Sequence, residues 1–343
     1  MDIKYRSKDT LRQDPEGTSD DLTRKADLLC ERLAQLNSNL GKVIFGQEDV
    51  IEQVLITLLA GGHALLVGAP GLAKTRLVEN LGIVFAMDEK RIQCTPDLMP
   101  SDIIGAEVLE ENETGRRSFR FIPGPVFSQL LMADEINRAS PRTQSALLQA
   151  MQEHTVTVAG ISHKLPAPFH VLATQNPLEQ EGTYPLPEAQ LDRFLLEIYV
   201  GYPDKEAERQ MLLATTGTSE PTAETVLTAR ELLEAQKLVR EIPVGEDVLE
   251  GILALVRNGR PEDTTDELVR QFVAWGPGPR ASQALLMASK ARCLLQGRLS
   301  PSLEDVVALA MPVLRHRIHL DFTARAEGIT LTDIINRLIT PLT

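Results

Sequence analysis

Short apolar runs alternate with helical stretches between residues 63 and 200. In the helical stretches, such as those predicted over 75–87 and 141–153, apolar residues recur every three or four positions. Strands that alternate with helices form parallel sheets with helices on both faces. The pattern therefore predicts an α/β domain with a five-stranded parallel sheet. The predicted strands are His63–Val67, Arg91–Thr95, Gln129–Ala133, Phe169–Thr174 and Phe194–Val200.

The flanking regions are helical in pattern. Helices are predicted over 22–40 and 47–59, whereas residues 1–20 have no apolar face and are expected to form a mobile tail. After residue 202 the strand pattern ends, which predicts a core over 21–202 and a smaller all-α lid domain over 203–343. Two polar, turn-rich stretches at 107–121 and 154–168 are expected to be insertions or hairpins. The predicted lid helices are Lys205–Thr215, Ala229–Arg240, Glu246–Arg257, Arg280–Gln296 and Leu303–Arg315, the last starting at a capping box of Ser302 and Asp305.

Composition and charge restrict the functional class. A net charge of -13 argues against charge-driven nucleic-acid binding, which needs clustered Lys and Arg. The sequence contains no run of about 18 apolar residues, the length that an integral membrane helix needs. The polar N-terminus also lacks the apolar core of a signal peptide, so a cytoplasmic protein is expected. Cys30, Cys94 and Cys293 lack the spacing of a metal site or disulfide framework.

A glycine-rich loop follows the first predicted strand and opens a helix. In this context backbone N–H groups face phosphates, Lys74 reaches the β and γ groups of ATP, and the Thr75 hydroxyl binds Mg²⁺. The generic motif has glycine where Ala73 stands, and an ordinary strand-turn-helix connection is the alternative. The predicted ATP-binding loop consists of Gly68, Ala69, Pro70, Gly71, Leu72, Ala73, Lys74 and Thr75.

Polar residues end two other predicted strands. Asp134 and Glu135 follow an apolar strand about sixty residues after the loop, where Asp134 would hold Mg²⁺ and Glu135 would activate the attacking water. Asn176 ends the strand that starts at Phe169, where it could hydrogen-bond the γ-phosphate or the water. Solvated loop residues and a common Asn-Pro turn are the alternatives.

Three longer segments resemble the MoxR family of AAA+ ATPases, and the similarity extends from about residue 42 to the C-terminus. The segments are Arg91–Asp102, Asp134–Ala139 and Ala173–Phe194. The family tolerates alanine at the position of Ala73, and the resemblance implies that Arg193 is an arginine finger inserted into a neighbouring subunit's site. It also implies that Arg280 is the second sensor, although Pro277-Gly278 replaces the usual Ala-Ser before it.

The remaining site residues follow from the same resemblance. Lys74 and Thr75 match the Walker A pair, Asp134 and Glu135 match the Walker B pair, and Asn176 matches the first sensor. Gly46 and Gln47 resemble the segment that borders the adenine, mostly through backbone contacts.

The resemblance implies a ring-forming homo-oligomeric ATPase, with a hexamer as the expected size, that remodels or matures partner proteins. It also implies that the two hairpins face the pore of the ring. Partners with von Willebrand factor A domains often accompany the family. A nucleotide-gated scaffold, in which ATP binding alone is the useful event, is an alternative. A nucleic-acid motor is a further alternative, which the acidic charge disfavours.

Overall fold

A computed structural model describes residues 16–111, 117–179, 182–216 and 221–342. The helices are α1 (Glu16–Gly41), α2 (Glu48–Leu59), α3 (Lys74–Val84), α4 (Pro100–Ile104), α5 (Pro141–Glu153), α6 (Glu188–Leu191), α7 (Lys205–Thr215), α8 (Ala229–Glu241), α9 (Glu246–Asn258), α10 (Glu267–Phe272), α11 (Pro279–Leu295), α12 (Leu303–Leu314), α13 (Phe322–Ala326) and α14 (Leu331–Ile339). The strands are β1 (Ala64–Val67), β2 (Glu89–Gln93), β3 (Gly105–Glu111), β4 (Arg117–Pro123), β5 (Leu130–Asp134), β6 (Thr155–Val158), β7 (Ile161–Lys164), β8 (His170–Gln175), β9 (Leu196–Tyr199), β10 (Val273–Trp275) and β11 (His319–Leu320).

The main sheet has five strands in the order β2-β5-β8-β1-β9, and every neighbouring pair is parallel. The predicted α/β fold with a five-stranded parallel sheet is therefore confirmed. Strand β2 lies two residues earlier than predicted because, as an edge strand, it buries only Ile92 and carries a weak apolar signal. The Cys94 N–H still donates to the Asp134 carbonyl at 2.8 Å, which extends the pairing beyond the strand.

Successive side chains of the strands enter two hydrophobic clusters on opposite faces of the sheet. Leu66 and Met132 belong to one cluster, and Leu65 and Leu131 belong to the other. The first cluster continues from α1 and α2 through the sheet face into the helices that follow β9. The helical region is therefore packed directly on the core, and the boundary at residue 202 stays a prediction.

The two polar stretches are antiparallel hairpins, β3-β4 and β6-β7. The rings of Phe121 and His163 stack with centroids 4.0 Å apart, so the hairpins contact each other. Both expected hairpins are confirmed, and their residues 112–116 lie outside the described part of the chain.

The ends of the helical regions differ in detail from the sequence predictions. Helix α1 begins at Glu16, and the part of the expected tail over 1–15 lies outside the described residues. The capping box is present, because the Ser302 N–H donates to Asp305 Oδ2 at 2.8 Å. Helices α10, α13 and α14 and the β10-β11 ribbon were not predicted, because each is short. No helix among the described residues combines the length and apolarity needed to cross a membrane.

Candidate active site

The loop between β1 and α3 lies at the carboxyl edge of the sheet. A Cβ on Gly68 would lie 2.5 Å from the Val200 carbonyl oxygen, so the end of β9 leaves no room for a side chain there. Gly71 has φ +83°, a left-handed conformation that favours glycine. Helix α3 begins at Lys74, so the loop presents backbone N–H groups and the positive end of a helix to the space above it.

Ala73 also adopts the left-handed conformation, with φ +56° and ψ +18°. This geometry explains why the generic loop has glycine at this position. A Cβ is tolerated there at a cost of about 1–2 kcal/mol. The substitution of alanine for glycine therefore retains the fold of the loop.

Lys74 and Thr75 line a cleft of about 740 Å³ above the loop. Lys74 Nζ donates to the Gly68 carbonyl at 2.6 Å. Burial lowers the pKa of Lys74, and the nearby charges of Asp134 and Glu135 raise it only in part. Two carboxylates thus lie close enough to this ammonium group to influence its charge.

Asp134 ends β5 beside the loop and is held through both carboxylate oxygens. Oδ1 accepts from the Thr174 hydroxyl at 2.5 Å, and Oδ2 accepts from Arg91 on the neighbouring edge strand at 2.5 Å. The Arg91 side chain is 46% exposed, so solvent reaches that ion pair. Thr75 and Asp134 together offer hydroxyl and carboxylate oxygens, the ligand types that Mg²⁺ prefers, so the residues fit a metal held with a nucleotide.

Glu135 has a strained backbone, with φ +54° and ψ +51°. Its N–H donates to Thr174 Oγ1 at 2.9 Å, which fixes this conformation to β8. Its carboxylate accepts from Gln93 Nε2 and from Arg138 Nη1, each at 2.9 Å. Both donors bond to the same oxygen, Oε2, so they fix the direction of the Glu135 carboxylate.

Asn176 follows β8 and lines the same cleft, together with Glu135 and Arg91. It is 5% exposed, and its Oδ1 accepts from the Leu178 N–H at 3.1 Å. This turn leaves its amide nitrogen as the group available to a ligand in the cleft.

Gly46 and Gln47 lie behind the loop. Gln47 Nε2 donates to the Leu72 carbonyl at 3.2 Å, while Gln47 Oε1 is buried and has no partner in the part of the chain that the structure describes. Gly46 has φ +64°, and a Cβ there would lie 2.4 Å from the Cβ of Ala207. Neither residue is among those that line the cleft in the described chain, so Gln47 supports the loop from below.

Arg193 and Arg280 lie together in a second cleft of about 320 Å³, and neither lines the first. Arg280 Nη1 lies 3.5 Å from Asp192 Oδ2, and Arg193 Nε is buried with no hydrogen-bond partner in the described ranges. The structure thus brings the loop, the acids and Asn176 together and places the two arginines elsewhere.

Sequence reasoning assigned no role to four residues that contact the acids. They are Arg91, Gln93, Arg138 and Thr174. All four lie in the segments quoted for the family resemblance, and Thr174 immediately precedes the polar end of β8. Their partners depend on which strands are neighbours, which the local sequence pattern does not specify.

Comparisons with known proteins agree with this geometry. Residues 63–196 match the ATPase family associated with various cellular activities (AAA), and residues 265–338 match the AAA lid domain. A crystal structure of a candidate ATPase from Cytophaga hutchinsonii superposes with a TM-score of 0.86 at 38% identity, covering 94% of this chain and 97% of that one.

Three proteins of known sequence are similar over most of the chain. Chaperone MoxR1 of Mycobacterium tuberculosis is 42% identical over 87% of this chain and 78% of its own length. YeaC of Bacillus subtilis is 39% identical over 90% and 93%, and Protein MoxR of Paracoccus denitrificans is 30% identical over 84% and 89%. On these matches and the arrangement of its loop, sheet and lid, the chain belongs to the MoxR family of AAA+ ATPases.

Proposed function

We propose that this protein hydrolyses Mg²⁺-ATP at sites shared between neighbouring subunits of a homo-oligomeric ring, with a hexamer as the expected size. The observation that carries the proposal is the separation of the two clefts. Lys74, Asp134 and Glu135 line one, whereas Arg193 and Arg280 line the other. A head-to-tail contact between subunits would bring the second cleft of one subunit to the first cleft of the next.

Each group has a role that its chemistry supports. The loop N–H groups and Lys74 would bind phosphates, and Thr75 and Asp134 would hold Mg²⁺, which neutralises phosphate charge when bound. Glu135 would orient and deprotonate water, and the Asn176 amide would hold that water or the γ-phosphate in place. Because a guanidinium is planar and always charged, Arg193 and Arg280 suit the charge that develops during phosphoryl transfer.

The biological use of hydrolysis is proposed to be the remodelling or maturation of partner proteins. The name of the Mycobacterium tuberculosis relative, a chaperone, supports this role. Proteins with von Willebrand factor A domains are proposed as partners and the cytoplasm as the location. The exposed side chains of Phe119 and Ile161 on the two hairpins offer apolar contact to such clients.

The oligomer is tested by measuring ATPase activity per subunit against protein concentration. If sites are completed by neighbours, specific activity rises with concentration in parallel with assembly measured by light scattering. Arg193→Ala should remove that activity while leaving ATP affinity within about twofold, because a residue acting from the neighbour contributes mainly to the transition state. Activity that is independent of concentration would contradict the shared site.

The use of hydrolysis is tested with Glu135→Gln. This variant keeps the size of the side chain and its contact with Gln93, so ATP binding measured by calorimetry should persist while turnover stops. Lys74→Ala is the matched variant that loses binding as well. A cellular phenotype of Glu135→Gln that equals wild type would instead support a nucleotide-gated scaffold.

A further inference from the structure

A buried arginine from the helical region holds the turn that carries Arg193. Arg317 lies between α12 and β11 and is 5% exposed. Its Nε donates to Asp192 Oδ1 at 2.7 Å, and its Nη2 donates to the Phe194 carbonyl at 2.7 Å. Its Nη1 donates to the Leu195 carbonyl at 3.2 Å. One guanidinium therefore bonds to residues on both sides of Arg193.

The Arg317 guanidinium, which anchors the turn at 192–195, is itself held by α12. Arg317 Nη1 donates to the Val313 carbonyl in α12 at 2.5 Å, so the guanidinium is tied to the end of that helix. Beside it, His316 Nε2 lies 3.1 Å from the Phe194 carbonyl oxygen. Because the guanidinium plane presents its donors in a rigid fork, it fixes the direction of the turn as well as its distance from the helix.

The Arg193 side chain is held less firmly than that of Arg317 within the part of the chain that the structure describes. Its Nε is buried in the second cleft and has no hydrogen-bond partner among the described residues. A buried donor without a partner costs free energy, so this Nε is a group available to a ligand that enters the second cleft. The direction in which Arg193 projects is consequently set by its backbone, which Arg317 holds.

We propose that Arg317 is a positioning residue for Arg193, through which the helical region sets the geometry of the finger offered to the next subunit. The inference rests on the proposed function, in which Arg193 acts on a neighbour's site. A shift of α12 relative to the sheet moves the anchor and with it the turn at 192–195. The state of one subunit's helical region therefore controls hydrolysis in the adjoining site.

The test is a mixing experiment with Arg317→Lys. Lysine keeps the positive charge but replaces the rigid fork with one flexible ammonium group, so kcat should fall by about tenfold or more. ATP affinity should stay within about twofold, because the variant's own nucleotide cleft is intact. Addition of Glu135→Gln subunits, which have an inactive site but an intact finger, should restore activity well above the sum of the two separate proteins.

Rescue is the readout that a structural role would not give. In the mixed ring, the Arg317→Lys subunits carry the intact nucleotide sites and the Glu135→Gln subunits carry the correctly held Arg193. In an equimolar mixture about half of the intact sites adjoin a Glu135→Gln subunit. Arg298→Lys is the matched control. Arg298 makes two hydrogen bonds to Asp305 within the helical region and, among the described residues, none to the turn, so loss of activity in this variant should not be rescued.

Failure of this inference can be separated from failure of the shared site. Arg193→Ala mixed with Glu135→Gln should recover activity, and no recovery there overturns the shared site itself. Recovery in that pair but not with Arg317→Lys overturns the positioning role alone. If Arg317→Lys does not fold, Asp192→Asn weakens the same anchor by removing the charge that faces Arg317 Nε. Its activity should be rescued in the same mixture, and absence of rescue counts equally against the proposal.

Discussion

Removal of one hydroxyl group should disable both acids of the candidate active site. Thr174 is 1% exposed, and its Oγ1 donates to Asp134 Oδ1 while accepting from the Glu135 N–H. Thr174→Val keeps the branched shape of the side chain and removes only this bridge. We expect the two acids to lose their relative position, with the strained backbone of Glu135 left without its anchor.

The magnitude follows from the two hydrogen bonds. A bond to a charged carboxylate contributes about 1.5–3 kcal/mol, and a bond between neutral groups contributes about 0.5–1.5 kcal/mol. The Asp134 side chain is 14% exposed and keeps its contact with Arg91, so water replaces part of the loss. If about 2 kcal/mol of the loss is felt in the transition state, kcat falls roughly thirtyfold, since about 1.4 kcal/mol corresponds to a factor of ten.

Steady-state ATPase assays at saturating ATP would measure this change, with Thr174→Ser as the matched control. Serine retains the hydroxyl and should stay within about threefold of the wild type. ATP affinity from calorimetry separates an effect on binding from an effect on turnover. The reasoning is refuted if Thr174→Val and Thr174→Ser have the same kcat.

Three further changes test other parts of the structure. Gly68→Ala puts a Cβ 2.5 Å from a backbone carbonyl oxygen and should weaken ATP binding more than tenfold in calorimetry. Gly71→Ala has nothing within 4 Å and should lose less, because it adds only the strain of a left-handed residue, about 1–2 kcal/mol. The reverse order would contradict the loop geometry. Asp305→Asn removes a fully buried negative charge that pairs with two arginines, and it should lower the free energy of unfolding in urea by about 2 kcal/mol. This loss is smaller than for a fully buried ion pair because both arginines reach solvent. An unchanged urea midpoint argues against the pair. Burial lowers the pKa of His63 to about 3 and that of His170 to about 4, so the folded protein keeps both rings neutral. The unfolded chain binds protons at both histidines as pH falls below their ordinary pKa of 6.5, and stability that is complete above that pH is then lost. Between the folded pKa and 6.5, each histidine should lower the free energy of unfolding by about 1.4 kcal/mol for every pH unit of acidification. His170→Gln should reduce the slope of unfolding free energy against pH by that amount. An equal slope in wild type and variant contradicts the assignment.

The sequence alone predicted the fold, and it placed the phosphate loop and the polar strand ends that line one cleft. Apolar runs of strand length separated by helices specify a parallel sheet, and the carboxyl ends of parallel strands meet at one edge. Lys74, Asp134 and Asn176 each follow such a strand or its loop, so their convergence in one cleft follows from local pattern and topology together. The capping box at Ser302 was likewise readable, because its partners are three residues apart.

Contacts between residues distant in the sequence were decided by the tertiary structure alone. The bridge from Thr174 to Asp134 joins residues 40 positions apart, and that from Arg317 to Asp192 joins residues 125 apart. Strand order determines the first, and the packing of the helical region on the sheet determines the second. Neither leaves a periodic signal, because one side chain of the right length and donor pattern is enough to make each contact. For the same physical reason only the folded chain shows that Arg193 lies outside the cleft lined by Lys74.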